Sequence, residues 1–353
     1  MKLNLLKKKF KGKRILITGN TGFVGSRLSL LLSDLGANVL GFSQKKSDTR
    51  FLSNSKAYKY KVRTIFSDIN KFERNLKKLK KFKPQIIIHL ASQALVLESY
   101  KNSRKTFFTN IMGTVNFFET IKKLKSVKKI IIFTSDKVYE NLKGKVLTEK
   151  SHLGGIDPYS ASKSCQDIIS NSYKSSFFNK KINVTILRAG NIIGGGDWNI
   201  NRLVPDIFKS IYNNKKLIIR NPGAIRPWQH ILEILNAFIL ILLKKNNTTN
   251  NTAEIFNVAP NLKSNISVVK LINLIKKIGN YHNLKVQFKK NSFYETKILK
   301  LSSNKARKQL NYIPKLTLKE TISLTIDWYK VFFQNRKQIL KFTQIQIQSY
   351  FKK

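Results

Sequence analysis

Short runs of consecutive apolar residues recur through the first half of this chain, and longer stretches with helical periodicity lie between them. Because the runs are continuous rather than alternating, each is expected to be a strand buried on both faces, as in a parallel sheet. Alternation of such strands with helices predicts an α/β fold, a Rossmann-type doubly wound parallel sheet. The runs are Arg14 to Thr18, Ala37 to Phe42, Gln85 to Ala91, Lys129 to Thr134 and Asn183 to Leu187.

Helical stretches are predicted at Gly22 to Leu35, Lys105 to Leu124 and Pro158 to Phe178. Gly36 is suited to end the first of them, since glycine readily takes the left-handed conformation that follows helix C-termini. Asp157 can cap the third helix while Pro158 occupies its first turn.

The regular alternation loosens after Arg188, where turn-rich segments become frequent. We predict a nucleotide-binding domain over 1–187, to which the chain returns around 228–262. A smaller C-terminal substrate-binding domain is expected to comprise 188–227 and 263–335. Residues 336–353 are predicted to be a basic tail.

At 353 residues, of which 42% are hydrophobic, the chain can bury a sizeable core. The apolar run Leu3 to Leu6 is too short for a signal peptide, and Ala237 to Leu243 is too short to cross a bilayer. Cys165 is the single cysteine, which excludes an intrachain disulfide and favours a reducing compartment. We therefore predict a cytoplasmic protein with no membrane partner.

The formal net charge of +49 is unusual and would suit a protein that binds nucleic acid. The lysines are scattered, however, and no interleaved aromatic residues suggest a surface for stacking bases. Compositional drift is the favoured explanation, and no nucleic-acid partner is predicted, although the charge should help to attract a polyanionic substrate. Against 67 basic residues, the 18 acidic ones that persist are more informative than usual.

A glycine triplet, Gly19, Gly22 and Gly25, follows the first predicted strand and opens a helix. Glycines allow a tight turn there and let a pyrophosphate approach the backbone at the helix N-terminus. With Thr21 and Phe23 between them, they predict a dinucleotide site.

The residues that would choose between the two nicotinamide cofactors leave the choice open. Gly41 to Gln44 contains no acid to bind the ribose hydroxyls, and Lys45, Lys46 and Arg50 follow. Asp68 and Ile69 would meet the adenine, or else form an ordinary surface turn. Leu90, Ala91, Ser92 and Gln93 end the strand that begins at Gln85. The polar residues of this run should face the crevice and contribute to the site, or else they show only the ordinary polarity of a strand end.

Two further motifs indicate redox and acid–base chemistry. Tyr159 and Lys163 stand four residues apart, so that a phenol and an ammonium share one helix face. The cation is expected to lower the tyrosine pKa towards working pH, so that the pair can deprotonate a sugar hydroxyl. Ser135, Asp136 and Lys137 follow a predicted strand and offer a hydroxyl, a carboxyl and an amine for an elimination.

Over roughly residues 10 to 330 the chain resembles the extended short-chain dehydrogenase/reductase family, and most closely its members that dehydrate CDP-glucose. The resemblance implies NAD as the cofactor, CDP-glucose as the substrate and a homodimer paired through helices like 105–124 and 158–178. At Asn20, Val24 and Arg27 the family usually has histidine, lysine and tryptophan. The matching runs include Thr18 to Gly25, Thr134 to Lys137, Leu153 to Ser160, Arg188 to Trp198, Arg202 to Asp206 and Arg220 to His230.

The resemblance also implies roles. Tyr159 would deprotonate the C4 hydroxyl, Ser135 would hydrogen-bond the C4 oxygen, and Lys163 would hold the nicotinamide ribose. Asp136 would be the acid for the leaving C6 hydroxyl. Lys137, where related dTDP-glucose enzymes have glutamate, would be either the base at C5 or a cation that stabilises the enolate.

Other residues are assigned with explicit alternatives. Asn110 would bend its helix and support a proton relay, or simply be a polar residue of a helix face. Asp136 and Lys137 would otherwise be a surface ion pair. The predicted substrate-binding residues are Gln93, Asn191, Arg202, Arg220, Arg226 and His230. Among these, the three arginines would bind diphosphate or be solvated charges, and Asn191 and His230 would bind the nucleotide-sugar or cap loops.

Two rival functions differ in testable ways. A sugar-nucleotide 4-epimerase would share Tyr159 and Lys163, but would be expected to carry small neutral residues in place of Asp136 and Lys137. A non-catalytic nucleic-acid-binding scaffold would show salt-sensitive binding and no need for the Tyr159–Lys163 pair.

Overall fold

The computed structural model describes residues 3–44, 51–140, 144–178, 182–245, 251–289 and 293–352. Its centre is a seven-stranded parallel sheet with the strand order β12-β7-β5-β4-β1-β2-β3. These strands are β1 (Arg14–Thr18), β2 (Asn38–Ser43), β3 (Arg63–Phe66), β4 (Ile86–His89), β5 (Lys129–Phe133), β7 (Asn183–Ala189) and β12 (Glu254–Val258). The Rossmann-type fold class predicted from the apolar runs is confirmed.

Shorter strands form four two-stranded pairs beside the main sheet, of which only β10–β13 is antiparallel among the described residues. The pairs β6–β15, β8–β11 and β9–β14 are parallel. Their bounds are β6 (Val146–Leu147), β8 (Ile192–Ile193), β9 (Leu217–Ile219), β10 (Ile225–Pro227), β11 (Gln229–His230), β13 (Asn265–Ser267), β14 (Val286–Phe288) and β15 (Lys300–Leu301).

The helices that flank the sheet and build the second lobe vary from one turn to almost five. They are α1 (Leu3–Phe10), α2 (Phe23–Asp34), α3 (Phe51–Asn54), α4 (Lys56–Lys61), α5 (Leu76–Phe82), α6 (Val96–Lys101), α7 (Ser103–Phe107), α8 (Gly113–Lys122), α9 (Pro158–Tyr173), α10 (Leu203–Tyr212), α11 (Ile231–Leu243), α12 (Val268–Gly279), α13 (Asn304–Leu310), α14 (Leu318–Gln334) and α15 (Ile339–Lys352). Short 3-10 segments lie at 69–75, 136–138, 262–264 and 336–338, and π segments at 108–112 and 174–178.

Successive residues of the central strands enter two different hydrophobic cores. Ile15 and Ile17 of β1 pack with α2 and α11 on one face of the sheet, whereas Leu16 packs with α8 on the other. Ile131 and its neighbour Ile130 divide in the same way in β5. This two-sided burial is the physical reason why the strands read as continuous apolar runs.

A third core lies in the C-terminal half and unites α10, α12 and α14 around Phe208, Leu271 and Trp328. Between these elements the chain returns to the main sheet, where β12 pairs with β7. The division into two domains with the boundaries given above stays a prediction.

Three details differ from the sequence-based expectations. The helix predicted over Lys105 to Leu124 is α7 and α8 joined by the π segment 108–112, and the helix at 158–178 ends in a second π segment. The predicted basic tail was wrong for 339–352, which form α15 and bury Ile347 and Tyr350 against the sheet-flanking core. Within the described ranges, no helix combines the length and apolar character needed to cross a membrane.

Candidate active site

A cleft of about 700 Å³ opens at the carboxyl ends of the central strands and extends towards the third core. This is where ligands bind in doubly wound sheets, because the strand-to-helix loops converge there. Most of the residues predicted from the sequence line it: Gly19, Thr21, Gly22, Phe23, Gly25, Ile69, Leu90, Ala91, Ser92, Gln93, Ser135, Asp136, Lys137, Tyr159, Lys163, Asn191, Arg202, Arg220 and Arg226.

Three predicted residues do not line the cleft. The Asp68 carboxylate caps the 3-10 segment that follows it by accepting from the backbone N–H of Asn70 at 2.9 Å. Asn110 is fully buried in the π segment and accepts from the backbone N–H of Gln93 at 2.7 Å. His230 caps α11 by accepting from the backbone N–H of Leu232 at 3.3 Å, which supports the capping alternative over contact with a nucleotide-sugar.

The glycine turn brings two strand ends and a helix N-terminus together. Gly19 has φ +71°, and a Cβ on it would lie 2.9 Å from the backbone of Leu90 and Ala91. Gly22 is the N-cap of α2 and provides no capping side chain, so the first N–H groups of the helix remain available to an anion. A close-approach turn before an uncapped helix fits the pyrophosphate of a dinucleotide.

The residues beside that turn form the wall expected for an adenosine. Thr21 and Ser43 hydroxyls hydrogen-bond over 2.7 Å, and Ile69 lines the cleft next to Ser67. Gln44, at the end of β2, donates to Asp68 over 3.5 Å. The basic residues predicted to bear on the choice of cofactor, at positions 45, 46 and 50, lie outside the described residues.

Ser135 and Asp136 meet at the end of β5. The Ser135 hydroxyl donates to Oδ1 of Asp136 at 3.1 Å, and it also accepts from the backbone N–H of Lys137 at 3.2 Å. Burial raises the pKa of Asp136 to about 6, against the lowering effects of Lys137, Ser135 and Arg226. Asp136 is 3% exposed. A carboxyl in this setting is protonated more readily than usual, which suits a proton donor.

The Tyr159 phenol lies within the same group of residues. Burial raises its pKa to about 12, while a hydrogen bond with Ser135 and the charge of Arg202 lower it. The expectation that Lys163 brings this pKa towards working pH was wrong for the chain alone, because desolvation of the phenolate dominates. Among the side-chain charges that act on the phenol, Arg202 lowers its pKa, whereas Asp136 and Asp157 raise it.

Lys163 is anchored behind the tyrosine, on the same face of α9. Its Nζ donates to the amide oxygen of Gln166 at 2.9 Å and to the carbonyl of Phe133 at 3.4 Å. Burial lowers the pKa of Lys163 to about 8, with Asp167 acting in the opposite direction. The ammonium therefore faces the cleft on a fixed stem.

The three predicted phosphate-binding arginines have different surroundings. Arg202 pairs with the buried Asp197 at 3.0 Å. Arg220 is half-buried and donates to Asn201 over 3.4 Å. Arg226 is 3% exposed, which contradicts the alternative that it is a solvated charge. It pairs with Glu295 at 3.1 Å and donates to two backbone carbonyls.

Glu295 is a cleft residue that sequence analysis did not single out. Its second oxygen accepts from Asn221 at 2.6 Å, and Lys137 and Arg226 hold the pKa of this carboxyl below its ordinary value. The segment before it is held by Tyr100, whose ring stacks on Phe293 at 4.6 Å. The scarcity of acids in the chain was the one available signal, since no motif surrounds Glu295.

The departures from the family pattern are accommodated locally. Asn20 is buried and donates to Thr64 at 2.9 Å. Arg27 lies between α2 and the loop after β8, where it donates to the carbonyl of Gly195 and packs 5.6 Å from the Trp328 ring. Burial lowers the pKa of Arg27 to about 10.

Comparisons with known proteins agree with this geometry. The family model described as GDP-mannose 4,6 dehydratase matches residues 16–325. The CDP-glucose 4,6-dehydratase of Salmonella typhimurium is 35% identical over 338 residues, which cover 94% of this chain and 94% of that protein. The dTDP-D-glucose 4,6-dehydratase of Homo sapiens is 25% identical over 343 residues, covering 93% of each chain.

Solved structures share the fold. DesIV, the dTDP-glucose 4,6-dehydratase of Streptomyces venezuelae with NAD and TYD bound, superposes with a TM-score of 0.79 at 21% identity and covers 93% of this chain and 99% of its own. The epimerase Mth375 of Methanothermobacter thermautotrophicus gives a TM-score of 0.82 at 20% identity, with 95% and 97% covered. At such identities the likeness establishes the fold that these proteins share.

Proposed function

This chain belongs to the GDP-mannose 4,6 dehydratase family, and we propose that it dehydrates CDP-glucose to CDP-4-keto-6-deoxyglucose with NAD as its cofactor. The observation that carries the proposal is the meeting of Ser135, Asp136, Lys137 and Tyr159 in one cleft. Similarity to the CDP-glucose 4,6-dehydratase of Salmonella typhimurium supports cytidine as the nucleoside of the substrate.

NAD would be held by the glycine turn and by the walls on either side of it. Gly19, Gly22 and Gly25 would let the pyrophosphate reach the N-terminus of α2, and Ile69 would border the adenine. Ala91 and Ser92, which line the cleft as Lys163 does, would border the nicotinamide half. When bound, NAD takes a hydride from C4 of the sugar and returns it at C6, so that the overall reaction is a redox-neutral loss of water.

At C4, Tyr159 accepts the hydroxyl proton and Ser135 hydrogen-bonds the same oxygen. The raised pKa of Tyr159 means that its neutral phenol predominates, so nearby positive charge is needed for it to act as a base. Arg202 supplies such charge from the substrate side of the cleft. Lys163 supplies further positive charge from its fixed position behind Tyr159 and would hold the nicotinamide ribose.

At C5 and C6, a proton must leave one carbon while a hydroxyl leaves the next. Asp136 donates the proton to the departing C6 hydroxyl, which its raised pKa favours. Lys137 stands next to it and either takes the C5 proton as a neutral amine or, as a cation, stabilises the enolate while water in the cleft takes that proton. An epimerase has no use for this neighbouring acid and amine, which is why a dehydratase is the preferred function.

The diphosphate is assigned chiefly to Arg202 and Arg220, with Gln93 and Asn191 contacting the rest of the substrate. Both arginines line the cleft and keep part of their guanidinium accessible. Arg226 is committed to Glu295 and to backbone carbonyls, so we assign it to holding that wall of the cleft.

We further propose a homodimer formed through α7, α8 and α9. Large apolar side chains are exposed on these helices and their π segments: Phe108 by 54%, Met112 by 41%, Ile168 by 57% and Phe177 by 52%. A second copy of the chain presenting the same surface would bury them around a two-fold axis.

Mass spectrometry of CDP-glucose after incubation with the purified protein and NAD tests the function. Loss of one water from CDP-glucose, and not from the dTDP- and UDP-glucose controls, is the expected result. Conversion of glucose to galactose without a change in mass would instead establish an epimerase. If no nucleotide-sugar changes while nucleic acid is bound at physiological salt, the proposal fails in favour of the scaffold.

A further inference from the structure

Gln166 contacts the ammonium of Lys163 from one turn further along α9. Tyr159, Lys163 and Gln166 follow each other at four and three residues, so they share one helix face. The Nζ of Lys163 lies 2.9 Å from the amide oxygen of Gln166, and both side chains are buried. Within the described part of the chain, no other side chain accepts a hydrogen bond from this ammonium.

The amide of Gln166 is itself held in one orientation. Its nitrogen donates to the Thr114 hydroxyl at 2.9 Å, and that hydroxyl donates to the backbone carbonyl of Asn110 at 2.7 Å. Lysine offers only donors, so the amide oxygen must point at the ammonium. The donor and the acceptor are therefore determined for each hydrogen bond that leads from Lys163 to the π segment at 108–112.

The charged and titratable groups around Lys163 do not accept a hydrogen bond from its ammonium, which leaves a neutral amide as the acceptor. Asp167, also on α9, is committed to Arg188 of β7 at 2.5 Å. His89, at the end of β4, faces Lys163 from the sheet, and burial lowers its pKa to about 3, so it is uncharged at neutral pH. Among the described residues, no carboxylate makes an ion pair with the ammonium.

We propose that Gln166 is a positioning residue for Lys163: its amide oxygen fixes the ammonium in the cleft wall without neutralising the charge. The inference rests on the proposed function in that Lys163 serves the reaction as a cation. A carboxylate at 166 would hold the lysine equally well, but would offset the charge that acts on Tyr159. An apolar residue at 166 would leave the charge of Lys163 in place but would no longer hold its side chain in one position.

The test compares Gln166→Leu with Gln166→Glu. Leucine removes an acceptor that favours the ammonium, so the pKa of Lys163 should fall from about 8. Glutamate adds a negative charge beside it, so the pKa should rise. Because activity needs the ammonium, the alkaline limb of kcat should move to lower pH in Gln166→Leu and to higher pH in Gln166→Glu, by roughly one unit each. At neutral pH, Gln166→Leu should lose roughly tenfold or more in kcat, as expected when a hydrogen bond to a charged group is lost.

A titration that needs no turnover separates this inference from the proposed function. Lysine labelled at Cε is followed by NMR across the alkaline range, and the Lys163 signal is identified by its loss in Lys163→Met. An unperturbed lysine in a model peptide has a pKa of about 10.4, well above the value for Lys163. Lys129 also has a pKa lowered to about 8 and is identified in the same way.

Opposite shifts of the Lys163 titration in the two variants support the proposal, and titration at the wild-type pH in both would overturn it. If Gln166→Leu does not fold, Gln166→Glu decides alone, with an upward shift expected. Gln229→Leu is the control, because Gln229 is equally buried but donates only to backbone carbonyls. It should leave the Lys163 titration unchanged. Shifted titrations in a protein that does not dehydrate CDP-glucose would retain the positioning role and refute the dehydratase.

Discussion

The hydroxyl of Ser135 donates to Oδ1 of Asp136 at 3.1 Å, while Oδ2 of the same carboxylate is buried with no hydrogen-bond partner among the described residues. An ionised carboxylate left half-satisfied in this way is costly, and the cost is relieved by protonation. The pair therefore combines a serine fixed for a substrate oxygen with an acid that lines the cleft and whose protonation is favoured by burial.

Asp136→Asn should separate the two halves of the reaction. Asparagine keeps the shape but cannot donate a proton to the C6 hydroxyl, so oxidation at C4 should persist while water loss falls by roughly a hundredfold or more. Borodeuteride quenching followed by mass spectrometry would show deuterium at C4 without loss of water. In the wild type, water loss should decline as the pH rises through about 6, because the acid form of Asp136 is then depleted. Equal loss of both steps would contradict the assignment.

The same substitution should raise stability at neutral pH. The pKa of Asp136 is about 6 in the folded chain against an ordinary 3.8, so folding takes up a proton between these values. The free energy of unfolding therefore falls as the pH rises across that window and stays lower above it. The Asp136→Asn variant lacks this penalty, and the gain is on the order of 3 kcal/mol. Denaturant unfolding at neutral pH should show this gain in stability, and unfolding at a pH below 3.8, the ordinary pKa of aspartate, should not.

Tyr159→Phe should abolish both the oxidation at C4 and the loss of water. Without the phenol no group accepts the C4 proton, and a loss of roughly a hundred- to ten-thousandfold is expected for a general base. Borodeuteride quenching should then place no deuterium at C4 and mass spectrometry should find no water lost. Tyr60→Phe is the matched control, since Tyr60 is 93% exposed and is not one of the residues that line the cleft. Residual C4 oxidation near the wild-type rate in Tyr159→Phe would refute the role.

Local signals sufficed for the elements that carry the site. The bounds of β1 matched the apolar run at Arg14 to Thr18, because a strand buried on both faces leaves an uninterrupted pattern. The cap at Asp157 was equally local: its carboxylate accepts from the backbone N–H of Ser160 at 3.0 Å, as an N-cap should. Residues at such strand and helix ends converge in any doubly wound sheet, so most of the residues that line the cleft could be predicted from the sequence.

What could not be predicted depends on contacts distant in sequence or on burial. Arg226 and Glu295 are 69 residues apart, and no periodicity links them. The raised pKa of Tyr159 is set by desolvation, which only the packed structure reveals. The sequence of α15 was interpreted as part of a basic tail without a motif, although this helix buries Ile347 and Tyr350.

The dimer predicts a specific pattern of assembly. The purified protein should scatter light with twice the monomer mass, and Phe108→Glu should yield monomers by placing a charge in the apolar surface between two copies. Ile313→Glu is the control, because Ile313 is 66% exposed and belongs to the segment between α13 and α14 rather than to α7, α8 or α9. A wild-type monomer, or a dimer lost equally in both variants, would count against pairing through α7 to α9.

The C-terminal helix should contribute measurably to stability through one hydrogen bond. Tyr350 of α15 donates to Oε2 of Glu233 at 2.6 Å, and the other oxygen of this 1% exposed carboxylate accepts from the backbone of Lys315 and Leu316. Removing one donor from a buried acid costs about 1.5–3 kcal/mol, so Tyr350→Phe should lower the free energy of unfolding by that amount.

Tyr312→Phe is a close control, because the Tyr312 hydroxyl is buried beside the same carboxylate without a hydrogen-bond partner in the described structure. Its removal should be neutral or slightly stabilising, since no bond is broken and a desolvated hydroxyl disappears. Equal losses in the two variants would mean that tyrosine packing, rather than the bond to Glu233, ties α15 to the core.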